Sequence, residues 1–319
     1  MLSHLSSLNT IGASGKIAHF IVVDATTWFV FISGYLLSHT EFVNNFNFKN
    51  YIHKKIKFVL TPYLIVSLPA ILAALYVSRP HFYDLTNFEY TLWALSVGGN
   101  VIRPMWFIPM IFLFFLTSPM FHKLNRQLLP ILTIICLTFS MLSWRPFNNS
   151  NPFFSFAHFL GFYLLGIYLQ SIRENIYSIS IKSAILIILT SLISFIALLL
   201  KYWEHFILQS NFVSFFERIG EFNPMQLGKL LILISLFVFL EIFLNRRITA
   251  LSRLAKISFG LFFIHGFYML IFSRFIAPMT PESPIKLIIE FTLVIPFSIF
   301  TVHLIKLALK NRSKYVIGC

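Results

Sequence analysis

Apolar runs of about 20 residues, separated by short polar turns, fill almost the whole chain. A bilayer core of about 30 Å is crossed by about 20 residues of helix. Nine segments reach that length, at roughly 18–39, 57–78, 105–121, 127–144, 153–171, 182–200, 228–245, 254–276 and 286–309. In lipid every backbone polar group must find its partner inside the protein, so these runs are predicted as helices. The pattern therefore predicts an all-α, polytopic membrane helix bundle with nine complete spans. Most joining turns are short, but 79–104 and 201–227 carry Pro, Asn, Asp and Glu and are long enough to fold as caps. No internal repeat, low-complexity tract or soluble domain interrupts the series. Residues 1–319 read as one integral membrane domain, with 310–319 as a cytosolic tail.

Basic residues give the bundle a direction. Alternate turns hold Lys49, Lys54, Lys55 and Lys57; Lys123 and Arg126; Arg173 and Lys182; Arg246, Arg247, Arg253 and Lys256; and Lys306, Lys310, Arg312 and Lys314. These are 16 of the 25 Lys and Arg, so their side is predicted to face the cytoplasm. The two long turns then face outward and the C-terminus inward, as for a multi-pass protein of the cell (cytoplasmic) membrane. Tracing back from the first complete span places residues 12–17 outside, with only eleven residues before Gly12. Eleven helical residues cover about 17 Å, too little to cross. Two expectations fit: residues 1–12 form a short outward tail, or they are the outer end of a first helix that begins before Met1. The second gives ten spans with both termini inside. No charged leader followed by an apolar stretch precedes residue 17, so no cleavable signal is expected.

Composition narrows the function classes. Hydrophobic residues make up 57% of the chain and charged residues 11%, too few to cover a soluble protein of this size. The net charge of +14 falls in turns between spans, so topology accounts for it and no nucleic-acid partner is expected. Cys136 lies in an apolar run and Cys319 is the last residue, which implies no disulfide framework. There is no HExxH, CxxC, Walker lysine loop or GxGxxG, and no His, Asp or Glu cluster with metal-ligand spacing.

Four segments carry a resemblance. FVFISGYLL runs from Phe29 to Leu37, and KKIKFVLTPY from Lys54 to Tyr63; MWFIP spans Met105 to Pro109, and ISFGLFFIH spans Ile257 to His265. In order and character they resemble the acyltransferase-3 family of integral membrane acyltransferases. That family pairs an arginine and a histidine on a first helix, follows with an FFxxSGFL-like helix and an RxxR element leading to Pro-Tyr, and continues with a WFL-type and a late YLIH-type helix. The resemblance covers nearly the whole chain and implies ten spans. On this alignment His4 takes the place of the family's histidine, and the partner arginine would precede Met1. Lys55 stands at the first arginine of the basic element and Phe58 at the second, with Lys57 beside them. A lysine is a point charge without the two-pronged grip of a guanidinium.

The resemblance implies transfer of an acetyl or other short acyl group from acyl-CoA, the co-substrate, to a hydroxyl of a cell-envelope or exported polysaccharide or its lipid-linked precursor. Partners would then be the bilayer, the glycan acceptor and glycan-assembly proteins. His4 is assigned as the base, since an imidazole titrates near pH 6.5 and so near working pH; a histidine in a frayed tail is the bland reading. Asp24 is placed beside it, either orienting His4 or binding an acceptor hydroxyl, or else capping its helix. Thr27 occupies a position where many members have an acid. Ser33, Arg103, Trp106 and His265 are assigned to the acceptor and acyl channel. Against this stand close helix packing at Ser33-Gly34, an interfacial belt role for Trp106, and an interhelical hydrogen bond for His265. Lys54, Lys55 and Lys57 are assigned to the coenzyme phosphates, although orientation alone explains them. His158 and His303 are read as packing residues. Competing functions are a transporter or flippase of a lipid-linked sugar, and an inactive truncated member of the family.

Overall fold

The long apolar runs do form helices, and the polar residues at their starts explain where they begin. In the computed structural model, residues 25–42, 46–77, 85–99, 101–146, 151–202, 219–244, 248–272 and 284–319 are described. The helices are α1 Thr26–Leu37, α2 Phe48–Lys55, α3 Thr61–Val77, α4 Asn87–Val97, α5 Phe107–His122, α6 Leu129–Met141, α7 Pro152–Ser171, α8 Arg173–Tyr177, α9 Ile181–Lys201, α10 Pro224–Phe243, α11 Thr249–Ile271, α12 Pro284–Leu309 and α13 Ser313–Val316. No strand occurs among the described residues. Asn151 and Asn223 cap α7 and α10, each accepting two backbone N–H bonds ahead of a proline at the first turn. Ser180 caps α9 by accepting one backbone N–H, that of Ser183, and Thr86 with Glu89 closes a reciprocal capping box on α4. The Glu89 carboxyl is held below the usual carboxylate range by the Thr86 backbone N–H and hydroxyl.

Among the described residues seven helices are long and apolar enough to cross a membrane: Phe48–Tyr76, Arg103–His122, Pro152–Ser171, Ile181–Lys201, Pro224–Phe243, Thr249–Ile271 and Thr292–Val316. Two of the nine predicted spans are not among them. The helix at 127–144 is only 13 residues long, Leu129–Met141, and the first span is described only from α1, 12 residues. Residues 1–12, read as the remnant of an earlier helix, lie outside the described residues.

The bundle is organised around α7. Phe159, Phe162 and Tyr163 on this helix are fully buried, and three glycines let neighbouring backbones approach it. A Cβ at Gly34 of α1 would lie 2.1 Å from the Tyr163 carbonyl oxygen, and one at Gly166 would lie 2.2 Å from the Phe31 carbonyl oxygen. A Cβ at Gly161 would meet the Cys136–Leu137 backbone of α6 at 2.5 Å. Water gives no drive for helix association inside lipid, so such close van der Waals contact is the main source of packing energy. In contrast, α9 presents Ile181, Leu186, Ile193 and Leu200 outward, a face that suits acyl chains and not water.

Two wide helical turns shape one end of the bundle. The residues Ser38–Phe42 after α1 and Ile56–Leu60 between α2 and α3 wind as π-helix, a geometry that is rare and often found at functional sites. That end carries Lys54, Lys55 and Lys57 and is called the basic end below. At the opposite end α4 stops at Gly98, whose φ of 78° suits glycine and where a Cβ would meet the Met105 carbonyl at 2.6 Å. The chain then enters the tight turn Arg103–Trp106 that starts α5.

Candidate functional site

At the basic end two lysines, Lys55 of α2 and Lys57 of the wide turn that follows it, are held by aromatic rings. The Lys55 ammonium lies 5.0 Å from the centre of the Tyr51 ring and 4.8 Å from that of Phe115, contacts in which the ring faces attract the cation. Tyr51 is buried in the same cluster as the fully buried Tyr163, and Glu41 acts on the Lys55 charge from the first wide turn. Lys57 lies 4.9 Å from the centre of the Tyr315 ring, while Lys54 is exposed. Phosphates approaching this end would meet one free-standing and two ring-held cations.

A second polar hub sits at the same end. Glu241 of α10 accepts from Tyr35 (3.0 Å), Arg173 Nε (3.1 Å) and Tyr177 (2.5 Å). Burial opposes the Arg173 charge, yet the bond to Glu241 lifts its pKa overall; burial and then the same carboxylate push up Tyr177. The hub ties α1, α8 and α10 together.

At the opposite end, the Arg103–Trp106 turn packs on the His265–Gly266 step of α11. A Cβ at Gly266 would meet the Ile102 side chain at 2.5 Å and Pro104 at 3.5 Å. Trp106 is buried with its ring stacked on Phe159 at 6.2 Å, so it is not an exposed belt tryptophan. Arg103 is exposed. His265 is buried, with Nδ1 2.9 Å from the Leu261 carbonyl one turn back. A run of ring contacts, Phe29 to Phe107 (6.3 Å), Phe107 to Phe262 (5.8 Å) and Phe262 to His265 (6.1 Å), joins α1, α5 and α11. Ser33 lies one turn along α1, half-buried, and donates to the Phe29 carbonyl at 2.8 Å. Thus Ser33, Trp106 and His265 converge on one aromatic cluster, whereas Arg103 marks its rim. His4 and Asp24 lie outside the described residues.

Sequence reading passed over a third group. Lys229 of α10 has no exposed surface although it lies within a membrane-spanning helix. Its ammonium is 5.1 Å from the centre of the Trp28 ring, and the Trp28 indole N–H points to the Lys229 carbonyl at 3.5 Å. One turn away the fully buried Thr27 donates to Gln226 at 3.1 Å. Nearby, His158 Nδ1 is 2.9 Å from the Ser143 hydroxyl, and Asn223 donates to the Ser143 carbonyl at 3.0 Å. A charged side chain inside a span is a functional-site signal by itself; KLLILISLF after Gly228 offered that signal, but an apolar helix absorbs a single lysine in a pattern count. His158 is packed and hydrogen-bonded as expected, whereas His303, also expected to pack, is exposed. Among the described residues no group of three or more His, Cys, Asp or Glu could hold a metal ion.

Residues 4–306 match the sequence model of a family described as an acyltransferase domain. No curated protein and no solved structure matches the chain.

Proposed function

The chain belongs to the acyltransferase-3 family, and from that premise we propose that it is a membrane-embedded O-acetyltransferase acting on a cell-envelope or exported polysaccharide. That it is a helical membrane protein of an acyltransferase family is already given by the match and by the seven span-length helices. The observation that carries the finer reading is the division of the bundle into a basic end and an opposite end where buried polar side chains gather.

In this reading the donor is acetyl-CoA, drawn to Lys54, Lys55 and Lys57 on the cytosolic face of the cell membrane, an orientation that the excess of basic turns supports. The acceptor glycan, free or lipid-linked, arrives at the opposite end. His4 takes the proton of the acceptor hydroxyl, and Asp24 orients it. The hydroxyl oxygen then attacks the thioester carbonyl carbon, the C–S bond breaks, and the coenzyme leaves as its thiol after receiving the proton. Trp106, His265 and Ser33 line the path of the acyl group, and Arg103 meets the glycan at the mouth. The Thr27–Gln226–Lys229 group supplies fixed polar contacts for the acceptor in an otherwise apolar bundle. Glycan-assembly proteins are the partners such a reaction requires.

The test is transfer of labelled acetyl from acetyl-CoA to a glycan by membranes containing the protein. Transfer that disappears in His4→Ala, with the variant still inserted in the membrane, is the expected result. Absence of transfer to any hydroxyl-bearing glycan from the unaltered chain would overturn the reading.

A further inference from the structure

The chain does not run out into solvent after its last long helix. Lys310 adopts a φ of 47°, a left-handed backbone unusual for lysine, and the chain reverses into α13. The Ser313 hydroxyl lies 2.7 Å from the Lys310 carbonyl and 2.6 Å from the Cys319 carbonyl, closing a small loop. Ile317 is buried against Ile264 and Val302. Gly318, with a φ of 75°, leaves no room for a side chain: a Cβ would meet the Phe259 ring at 2.3 Å and the Phe58 carbonyl at 3.1 Å. Residues 313–319 are therefore strapped across α11, α12 and the wide turn Ile56–Leu60.

Ile317, Gly318 and the Ser313 hydroxyl fix the strap through buried contacts. Tyr315 is different: its ring packs 5.7 Å from Phe58 and under the Lys57 ammonium at 4.9 Å, yet 37% of its surface stays open. Exposed Lys310, Arg312 and Lys314 flank it on the strap, and exposed Lys54 lies one turn before Lys57. Two basic segments far apart in sequence are thus brought together around one half-open aromatic ring. A flat π face beside several cations is what binds a nucleotide, with the base stacking on the ring and the phosphates meeting the ammonium groups.

We propose that the strap is the seat for the adenine-nucleotide end of the acyl donor, with Tyr315 stacking on the base and Lys57 and Lys54 drawing the phosphates. The proposal rests on the reading of a coenzyme A thioester as donor, and it adds a residue that positions the donor but takes no part in bond making.

The test measures equilibrium binding of coenzyme A and of 4′-phosphopantetheine, which lacks the nucleotide, to the purified full chain in nanodiscs. Loss of one stacked base lowers affinity by roughly 5- to 150-fold. Tyr315→Ala is expected to weaken coenzyme A binding by that factor and leave phosphopantetheine binding unchanged, and Tyr315→Phe to bind both as the unaltered protein does. Coenzyme A binding that survives Tyr315→Ala, or an equal loss for both ligands, would overturn the strap's role and leave the donor reading standing. An unaltered protein that binds neither ligand would overturn both.

Discussion

Replacing Gly34 by alanine tests the packing that holds α1 to the centre of the bundle. The new methyl would stand 2.1 Å from the Tyr163 carbonyl oxygen, 3.0 Å from its carbonyl carbon and 3.2 Å from its Cα. All three atoms belong to helix backbone, so no flexible side chain can yield. Ordinary contact begins near 3.4 Å, so the two helices must part by about 1.3 Å at the crossing. A gap of about 0.5–1 Å already forfeits a quarter to a half of the dispersion energy of the atoms facing it, so this one forfeits more than about half. Those atoms include Phe31 of α1 and Phe162 and Leu165 of α7, which share one buried cluster. Overpacking of this kind costs about 1–3 kcal/mol, and backbone against backbone belongs at the upper end, about 2–3 kcal/mol. Gly166→Ala presses on the same crossing from the other helix, at 2.2 Å from the Phe31 carbonyl. Once one methyl has parted the helices the second fits more easily, so the double variant should lose clearly less than the sum of the two. Gly161→Ala acts on the opposite face of α7 against α6 and should add to Gly34→Ala in full. Thermal unfolding of the purified variants in detergent, followed by tryptophan fluorescence, reads these differences. Ser33→Ala beside Gly34 serves as the control, because it removes only a local bond to the Phe29 carbonyl. A Gly34→Ala protein as stable as the control, or full additivity with Gly166→Ala, would refute the close crossing.

Further outcomes follow from the two ends. Lys229→Met should insert normally but raise the KM for the glycan acceptor at least tenfold with the KM for acetyl-CoA unchanged, and Lys229→Arg should recover part of it; equal effects on both substrates would make Lys229 structural. Glu241→Gln removes the charge that Arg173 and two tyrosines share and should cost about 1–3 kcal/mol in unfolding. Transfer rates measured at saturating substrate should stay within twofold. Lys55→Met and Lys57→Met should each raise the KM for acetyl-CoA several-fold without changing that for the glycan, and the effect should shrink as salt rises.

The sequence was legible where structure follows from local pattern. Apolar runs with few charges can only be helices in lipid, and Asn-Pro at 151–152 and 223–224 marks two of their starts. The Ser-Gly pair in FVFISGYLL foretold a close helix contact, and Gly34 makes one. What stayed hidden depends on partners some 200 or more residues away. Thr27 meets Gln226 and Trp28 meets Lys229 across a separation of about 200 positions, and Lys57 meets Tyr315 across more. No periodicity along the chain records such pairs. The basic tail illustrates the difference: its charge is visible in the sequence, whereas its return onto the wide turn at Ile56–Leu60 depends on Ile317 and Gly318 fitting surfaces built by other helices. Helix length was also misjudged from pattern alone, since the run at 127–144 gives only the 13 helical residues of α6 before the chain turns at Leu142.

The most direct test of the account is sidedness. Sealed vesicles of known orientation receive labelled acetyl-CoA on one face only, with a membrane-impermeant glycan acceptor on the other. Label should reach the glycan only when acetyl-CoA is on the face carrying Lys54, Lys55 and Lys57, and not in vesicles holding His4→Ala. Transfer that requires both substrates on one face, or that proceeds equally from either, would contradict a donor at the basic end and an acceptor at the opposite one.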